Sequence, residues 1–153
     1  MRRSEREITD KNTLEAILNE AQTCRLALTD GRTPYIVPMS YAYENDCLYF
    51  HSAQEGKKID MLRGNNRVCF EVDTAGEIIK GKNACGWSIM FNSVIGFGTA
   101  EFVNDEDGKR KALDLIMKKY SGEDKEFEYS KKALAEVLVI KVSVESMAGK
   151  KTK

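Results

Sequence analysis

The sequence has little of what metal sites, disulfide frameworks and nucleic-acid interfaces require. It contains one histidine and four cysteines, and no two cysteines form a C-x-x-C pair. A zinc site built from cysteine and histidine is therefore not indicated. Lys plus Arg and Asp plus Glu each number 24, so the formal net charge is zero. Because nucleic-acid-binding domains usually carry a basic excess, no nucleic-acid partner is expected.

Long apolar runs are also missing. No stretch is long enough to span a membrane, and no apolar segment follows the basic start Met1-Arg2-Arg3. We therefore expect neither a membrane span nor a signal peptide, and a cytoplasmic location. An apolar fraction of 42% over 153 residues is ordinary for a globular protein. One domain covering residues 1–153 is predicted.

What the sequence does contain is a series of short alternating segments separated by tight turns. The patterns predict strands at 24–29, 35–43, 47–52, 67–72, 88–103 and 137–144, and helices at 10–21, 54–62, 106–120 and 129–135. The first three strands are expected to form an antiparallel meander, because their connections are too short for helical crossovers. The fold class is therefore predicted as mainly β, a small antiparallel six-stranded, Greek-key-like barrel with peripheral helices. The lysine-rich end after residue 144 is expected to be loose.

Two glycine motifs resemble nucleotide-binding loops without matching them. Residues 76–82 have the glycine and lysine spacing of a phosphate loop, but Asn83 stands where a Ser or Thr should hold magnesium. No amphipathic helix follows, so we interpret the likeness as a coincidence. The pair Gly96 and Gly98 is only half of a dinucleotide fingerprint and lies inside a predicted strand, where it indicates a bend.

The segment after the third predicted strand is a candidate anion site. This strand ends in His51 and Ser52, and Gly56 then precedes Lys57 and Lys58 at the start of a helix. Basic residues in a first helical turn oppose the helix dipole, and a bound phosphate would reverse that cost. The residues alone also fit a simpler interpretation, in which both lysines are solvated and His51 is a hydrogen-bonded residue at a strand end.

Several segments together resemble the pyridoxamine-phosphate-oxidase-like FMN-binding split-barrel superfamily, and within it the nitroimidazole-resistance (Nim-type) proteins. The likeness covers nearly the whole chain in the right order, although no single segment is decisive. The matching segments are Met1-Arg2-Arg3 with Arg6-Glu7-Ile8, residues 34–41 (PYIVPMSY), 48–53 (LYFHSA), 56–60 (GKKID), 85–88 (CGWS), 93–98 (SVIGFG), and Gly149-Lys150.

This resemblance implies a homodimer with two FMN molecules in clefts at the subunit interface. It places the phosphate near Ser52, Lys57 and Lys58, and the flavin ring along residues 37–41, where backbone groups and His51 reach it. Residues 87–93 would approach from the facing subunit. The cofactor-binding residues implied in this way are Val37, Pro38, Met39, Ser40, Tyr41, His51, Ser52, Ala53, Gly56, Lys57, Lys58, Trp87, Asn92 and Ser93.

The leading functional hypothesis is a flavin-dependent oxidoreductase that reduces a small electron-poor substrate such as a nitroaromatic. His51 would be the catalytic residue, and NAD(P)H or a reduced carrier would supply electrons. The alternatives are a non-catalytic FMN-binding or sensing protein and a haem-binding member of the same fold, with His51 as axial ligand. Asn92 stands where many relatives carry a basic residue, so affinity or substrate charge preference is expected to differ here.

Overall fold

The computed structural model describes residues 4–74 and 76–152, so the matching segment Met1-Arg2-Arg3 lies outside the described residues. Two short 3-10 turns occupy residues 4–6 and 84–86. The strands and α-helices of the described chain are β1 (Glu7–Ile8), α1 (Lys11–Glu20), β2 (Cys24–Thr29), β3 (Pro34–Met39), β4 (Tyr41–Glu44), β5 (Cys47–Ser52), α2 (Lys57–Gly64), β6 (Arg67–Thr74), β7 (Ile78–Ile79), β8 (Ser88–Ile89), β9 (Asn92–Val103), α3 (Glu106–Ser121), α4 (Lys131–Glu136) and β10 (Leu138–Lys151).

One antiparallel sheet forms the body of the protein, with the strand order β3-β2-β6-β9-β10-β5-β4 and β1 paired to the end of β10. Its two edges, β3 and β4, are consecutive in the chain and are separated only by Ser40. The sheet therefore curls into a half-barrel that the chain itself closes at Ser40. If β3 and β4 are counted as one broken strand and the two-residue β1 is left out, this sheet has six strands. The predicted mainly-β barrel with peripheral helices is confirmed.

The barrel interior follows from strict alternation along the strands. In β2 and β6 every second side chain is buried, and the fully buried interior includes Leu26, Phe50, Phe70, Val94 and Ile140. Each such side chain contributes about 1.5–3 kcal/mol by leaving water. Helix α1 adds Leu14, Ile17 and Leu18 to the same cluster.

A second, smaller apolar layer lies on the outer face of the sheet. Helix α3 contacts β4 and β5, and its buried residues are Ala112 and Ile116. Leu134 of α4 and Val139 of β10 are also buried. This layer fixes α3 beside the point where β3 passes into β4.

Several predicted strand boundaries were wrong. The strand expected at 35–43 is interrupted at Ser40, and β3 pairs with β2 while β4 pairs with β5. The three strands are therefore two hairpins instead of a meander. The strand expected at 88–103 is divided into β8 and β9. The end of the chain is not loose, because Lys150 and Lys151 belong to β10 and pair with Ser93 and Asn92.

The bend expected at Gly96 or Gly98 occurs in the neighbouring strand instead. Strand β9 stays in register with β6 through both glycines, whereas β10 has a bulge between Val144 and Ser146. The glycines are required by packing: a Cβ on Gly96 would lie 2.3 Å from the Phe70 ring.

The helices agree better with the sequence. Helix α1 starts after Asp10 as predicted, and α3 covers the predicted 106–120. Helix α2 begins at Lys57, three residues later than expected, and α4 two residues later. None of the described helices is long and apolar enough to cross a membrane.

Residues 76–90 form a small projecting arm, in which β7 pairs with β8. Its root is held by the end of the chain: the Phe91 N–H donates to Thr152 Oγ1 at 3.1 Å, and that hydroxyl donates to the Ile89 carbonyl at 2.8 Å. The segment that imitates a phosphate loop lies in this arm and is followed by a 3-10 turn and not by an α-helix.

All four cysteines are free thiols. Cys24 is fully buried in the barrel, and burial raises the pKa of its thiol to about 12. Cys47 and Cys69 are half-buried in strands, and Cys85 is exposed on the arm.

Candidate functional site

Helix α2 begins without a side-chain cap. Its N-cap residue is Gly56, whose φ of 121° and ψ of 165° are essentially reserved for glycine, and no side chain accepts a hydrogen bond from the first turn. Helices α1, α3 and α4 differ, because Asp10, Asp105 and Ser130 cap them. The Ile59 N–H donates to the Gly56 carbonyl at 2.8 Å, which leaves the N–H groups of Lys57 and Lys58 without a hydrogen bond in the described chain and available to an anion.

The first two residues of α2 are lysines in unlike surroundings. The Lys57 Nζ lies 4.6 Å from the centroid of the Tyr35 ring, near the start of β3, while the helix itself contacts β2. Lys58 is half-buried, and burial lowers the pKa of its ammonium group. Within residues 4–74 and 76–152 Lys58 forms no ion pair. A half-buried cation beside free helix amides is a position that a bound anion would stabilise.

Strand β5 leads directly into this terminus. His51 is exposed and pairs with Val139, while Ser52 is half-buried and pairs with Leu138. Ala53 is exposed, and the side-chain amide of Gln54 donates to the Ala135 carbonyl. The bond from Gln54 attaches the loop between β5 and α2 to α4.

The chain passes from β3 to β4 at residues 39–41, here called the β3–β4 switch, which lies next to the end of β5. Ser40 is exposed and has no Cα partner on β2 or β5. The side chains of Met39 and Tyr41 are buried, and Val37 is half-buried against the core. A ligand along this segment would therefore meet backbone atoms, Pro38 and Ser40, and not the other predicted side chains.

The last turn of helix α3 makes hydrogen bonds and ring contacts with the β3–β4 switch. The Tyr41 N–H donates to the Tyr120 Oη at 3.0 Å, and the Tyr120 hydroxyl donates to the Gln22 carbonyl at 2.7 Å. The Lys119 Nζ donates to the Leu18 carbonyl at 2.7 Å and lies 3.8 Å from the centroid of the Tyr41 ring. Burial lowers the pKa of Lys119 to about 8.

Sequence reasoning missed these contacts, although Lys119 falls on the apolar stripe of the predicted helix. A lysine at a core-facing position was the available indication that this end of α3 makes polar contacts inside the protein. Nothing in the local pattern singled out Tyr120, because its partner lies 79 residues away.

Three of the predicted residues lie elsewhere in the chain. Trp87 is on the arm and is 53% exposed. The Asn92 N–H donates to Thr74 Oγ1 at 3.3 Å, and Ser93 pairs with Lys150. In the described chain no hydrogen bond or ion pair joins these three residues to 51–58. Within one chain Tyr41 pairs with Phe50, next to His51, whereas Asn92 and Ser93 begin β9 and lie at the opposite end of that strand from Val103, which shares its partner Val139 with His51.

The family model described as pyridoxamine 5'-phosphate oxidase matches residues 10–151, almost the whole chain. The chain belongs to the pyridoxamine 5'-phosphate oxidase family. The resemblance expected from the sequence motifs is confirmed.

Among solved structures, a protein of Bacteroides thetaiotaomicron to which 5-nitroimidazole antibiotic resistance is ascribed is 41% identical, with a TM-score of 0.83. The alignment covers 94% of this chain and 85% of that one. An FAD and haem binding protein of Mycobacterium smegmatis has a TM-score of 0.86 over 97% of this chain and 74% of its own, and its 20% identity shows the fold alone. An uncharacterized protein of Rhizobium meliloti is 31% identical over 65 residues, 42% of either chain.

Proposed function

We propose that this member of the family is an FMN-binding oxidoreductase that reduces a small electron-poor substrate such as a nitroaromatic. The observation that carries the proposal is the start of α2, which has no side-chain cap and begins with Lys57 and Lys58, five and six residues after Ser52 at the end of β5. FMN ends in a phosphate, and helix amides, a hydroxyl and two ammonium groups are the donors that a phosphate needs. The relative with an ascribed role in nitroimidazole resistance supports the substrate class.

The edge strand β3 and the β3–β4 switch would contact the flavin ring of FMN. The backbone of β3 is at the edge of the sheet, so its outward N–H and C=O groups are free to meet a flavin ring, together with Pro38 and Ser40. When bound, FMN supplies the electron-transfer chemistry through its ring. His51 is exposed at the end of β5, where its imidazole can donate a hydrogen bond or a proton to the substrate.

A homodimer is part of the proposal, and the outer face of the sheet supports it. A row of register partners crosses four strands and consists of Ile36, Ala27, Cys69 and Phe97. Ile36 is 61% exposed and Phe97 is 52% exposed, and Ile95 beside this row is 50% exposed. An exposed apolar row, here next to the Arg25–Glu71 ion pair, is the kind of surface that a second copy can cover.

The position of the arm also favours two copies. Trp87, Asn92 and Ser93 are not grouped with His51 in one chain, so a second copy is required to bring them to the same flavin. The arm exposes Ile78 by 65% and Ile89 by 49% in addition to Trp87. In the proposed dimer these side chains are covered, and the arm contributes to the partner's cleft.

The visible spectrum of the purified protein, reconstituted with FMN, tests the proposal. We expect the bands of oxidised flavin, bleaching under anaerobic NAD(P)H or a chemical reductant, and their return when a nitroimidazole is added. A Soret band after incubation with haemin, without flavin binding, would instead favour a haem protein. If FMN binds but its absorption bands change with no electron donor or acceptor, the protein is a non-catalytic FMN-binding protein, and the reductase proposal is contradicted.

The role of His51 is tested by replacing it with Ala. Because the side chain is exposed and outside the core, we expect the His51→Ala variant to fold and retain FMN while turnover falls. Reoxidation of the reduced flavin by the nitro compound is the measurement. Unchanged reoxidation at equal flavin content would remove His51 from the mechanism.

A further inference from the structure

Tyr120 lies where three elements meet, and its hydroxyl both accepts and donates a hydrogen bond there. The hydroxyl accepts a hydrogen bond from the Tyr41 N–H at 3.0 Å and donates one to the Gln22 carbonyl at 2.7 Å. It thereby joins the last turn of α3, the β3–β4 switch and the loop between α1 and β2. A tyrosine hydroxyl can act as donor and acceptor at once, which no apolar residue of the same shape can do.

The Tyr41 N–H depends on this hydroxyl because the switch interrupts the sheet. Ser40 has no Cα partner, and Tyr41 is fully buried. A buried N–H without a partner is costly, so loss of the hydroxyl would favour conformations in which the switch moves toward water or toward another acceptor.

The rest of Tyr41 is held independently. Its hydroxyl donates to the Leu18 carbonyl, its ring packs 6.2 Å from that of Phe50, and the Lys119 ammonium lies over its ring. Removal of the Tyr120 hydroxyl is therefore expected to leave the barrel core intact and to act on the backbone at residues 39–41.

We propose that Tyr120 is a positioning residue that fixes the backbone of the β3–β4 switch in the conformation that receives the flavin ring. This inference rests on the proposed function, because it assigns Tyr120 a role toward the same ligand. Tyr120 acts through the Tyr41 N–H and need not touch the flavin. A ligand that needs one backbone conformation binds more weakly in proportion to the loss of that conformation.

The test compares Tyr120→Phe with a matched control, Tyr129→Phe. Tyr129 donates its hydroxyl to Asp114 Oδ1 at 2.9 Å, so the control also removes one hydroxyl that bonds to another residue, but this bond joins Tyr129 to α3 and not to the β3–β4 switch. Three quantities are measured in both variants and in the unaltered protein: amide hydrogen exchange at residues 40–42 without flavin, the dissociation constant of FMN, and the absorption maxima of bound FMN.

In Tyr120→Phe we expect faster exchange of the Tyr41 amide, roughly three- to tenfold weaker FMN binding, as the loss of one hydrogen bond implies, and shifted flavin bands. In Tyr129→Phe we expect the values of the unaltered protein. Unchanged exchange, or faster exchange with unchanged FMN affinity and spectrum, would overturn the inference. If the unaltered protein binds no FMN, the proposed function itself fails; normal FMN binding by the unaltered protein together with unchanged values in Tyr120→Phe overturns this inference alone.

Discussion

Helices α2 and α4 both begin with two lysines, but the two pairs differ in their helix caps and counter-ions. Ser130 caps α4 by accepting a hydrogen bond from the Ala133 N–H at 3.1 Å, and Lys132 lies 3.8 Å from Glu136. Helix α2 instead begins at Gly56, has no side-chain cap, and buries part of Lys58 without a counter-ion in the described chain. Both lysine pairs oppose the helix dipole, yet only α4 has a side-chain cap and a carboxylate near its second lysine, whereas in α2 the Ile59 N–H is bonded to the Gly56 carbonyl at 2.8 Å.

The difference shows how a binding terminus can be told from a merely basic one. At α4 the protein supplies the cap and a carboxylate, so a ligand would add little. At α2 the N–H groups of Lys57 and Lys58 and the Lys58 ammonium, which has no ion pair in the described chain, occur together a few residues after the end of β5. An anion there would satisfy groups that the fold has left without partners.

The largest expected effect comes from removing the lysines of α2. The double variant Lys57→Ala/Lys58→Ala should bind FMN at least roughly 100-fold more weakly, because each charge-assisted contact contributes about 1.5–3 kcal/mol. Fluorescence quenching of FMN measures the dissociation constant. The matched control is Lys131→Ala/Lys132→Ala at α4, which should bind FMN normally. Equal affinity in the two double variants would end the distinction between the helices.

Gly56, the N-cap residue of α2, should be required for stability because its backbone conformation is one that only glycine adopts easily. Gly56→Ala forces a Cβ into a conformation reserved for glycine and should lower the free energy of unfolding by about 1–3 kcal/mol. The control is Gly64→Ala at the other end of α2, where the φ angle is ordinary and nothing lies within 4 Å of the added Cβ. This variant should be neutral or slightly stabilising. Urea denaturation of both variants gives the comparison, and equal losses would contradict it.

Replacement of Ser130 and of Ser52 should have different effects, the first on stability and the second on FMN affinity. Ser130→Ala removes the cap of α4 and should cost about 0.5–2 kcal/mol of stability with no change in FMN affinity. Ser52→Ala removes the hydroxyl proposed to meet the phosphate, and should weaken FMN binding with little loss of stability. Thermal unfolding and FMN titration of each variant are the measurements. The reverse assignment of the two effects would place the phosphate site at α4.

A smaller effect should appear as a pH dependence of FMN affinity. Burial lowers the pKa of Lys58 below its usual value, and a bound phosphate would raise it again. Above the pKa of the free protein, binding must therefore take up a proton, so FMN affinity should fall as the pH rises into the alkaline range. Affinity should also fall below about pH 6, where the dianion of a phosphate monoester takes up a proton and becomes a monoanion.

Riboflavin, which shares the ring but lacks the phosphate, is the control for this pH profile. Its affinity should not follow the titration of Lys58. The same alkaline fall for riboflavin and FMN would assign the effect to the ring and not to α2.

Local patterns predicted the parts of this protein that local forces determine. Strands β2 and β5 were predicted with their observed bounds because apolar and polar residues alternate there, and α1 was predicted from Asp10 and its apolar spacing. The anion site at Gly56 was also a local inference, since the glycine and the two lysines are adjacent in sequence.

The parts that were missed depend on distant partners. The break at Ser40 arises because β3 and β4 pair with different strands, and the Tyr120 contact joins residues 79 apart. The lysine-rich end is a strand because β9 and β1 pair with it, which its own composition does not indicate. Long-range pairing and tertiary hydrogen bonds override local composition at these places.

The most direct test of the phosphate site at α2 is the ratio of the riboflavin and FMN dissociation constants for the unaltered protein. Both ligands present the same ring to the β3–β4 switch, and only FMN carries the phosphate. We expect FMN to bind at least roughly 100-fold more tightly, as two charge-assisted contacts imply. Equal affinities of riboflavin and FMN would contradict the account.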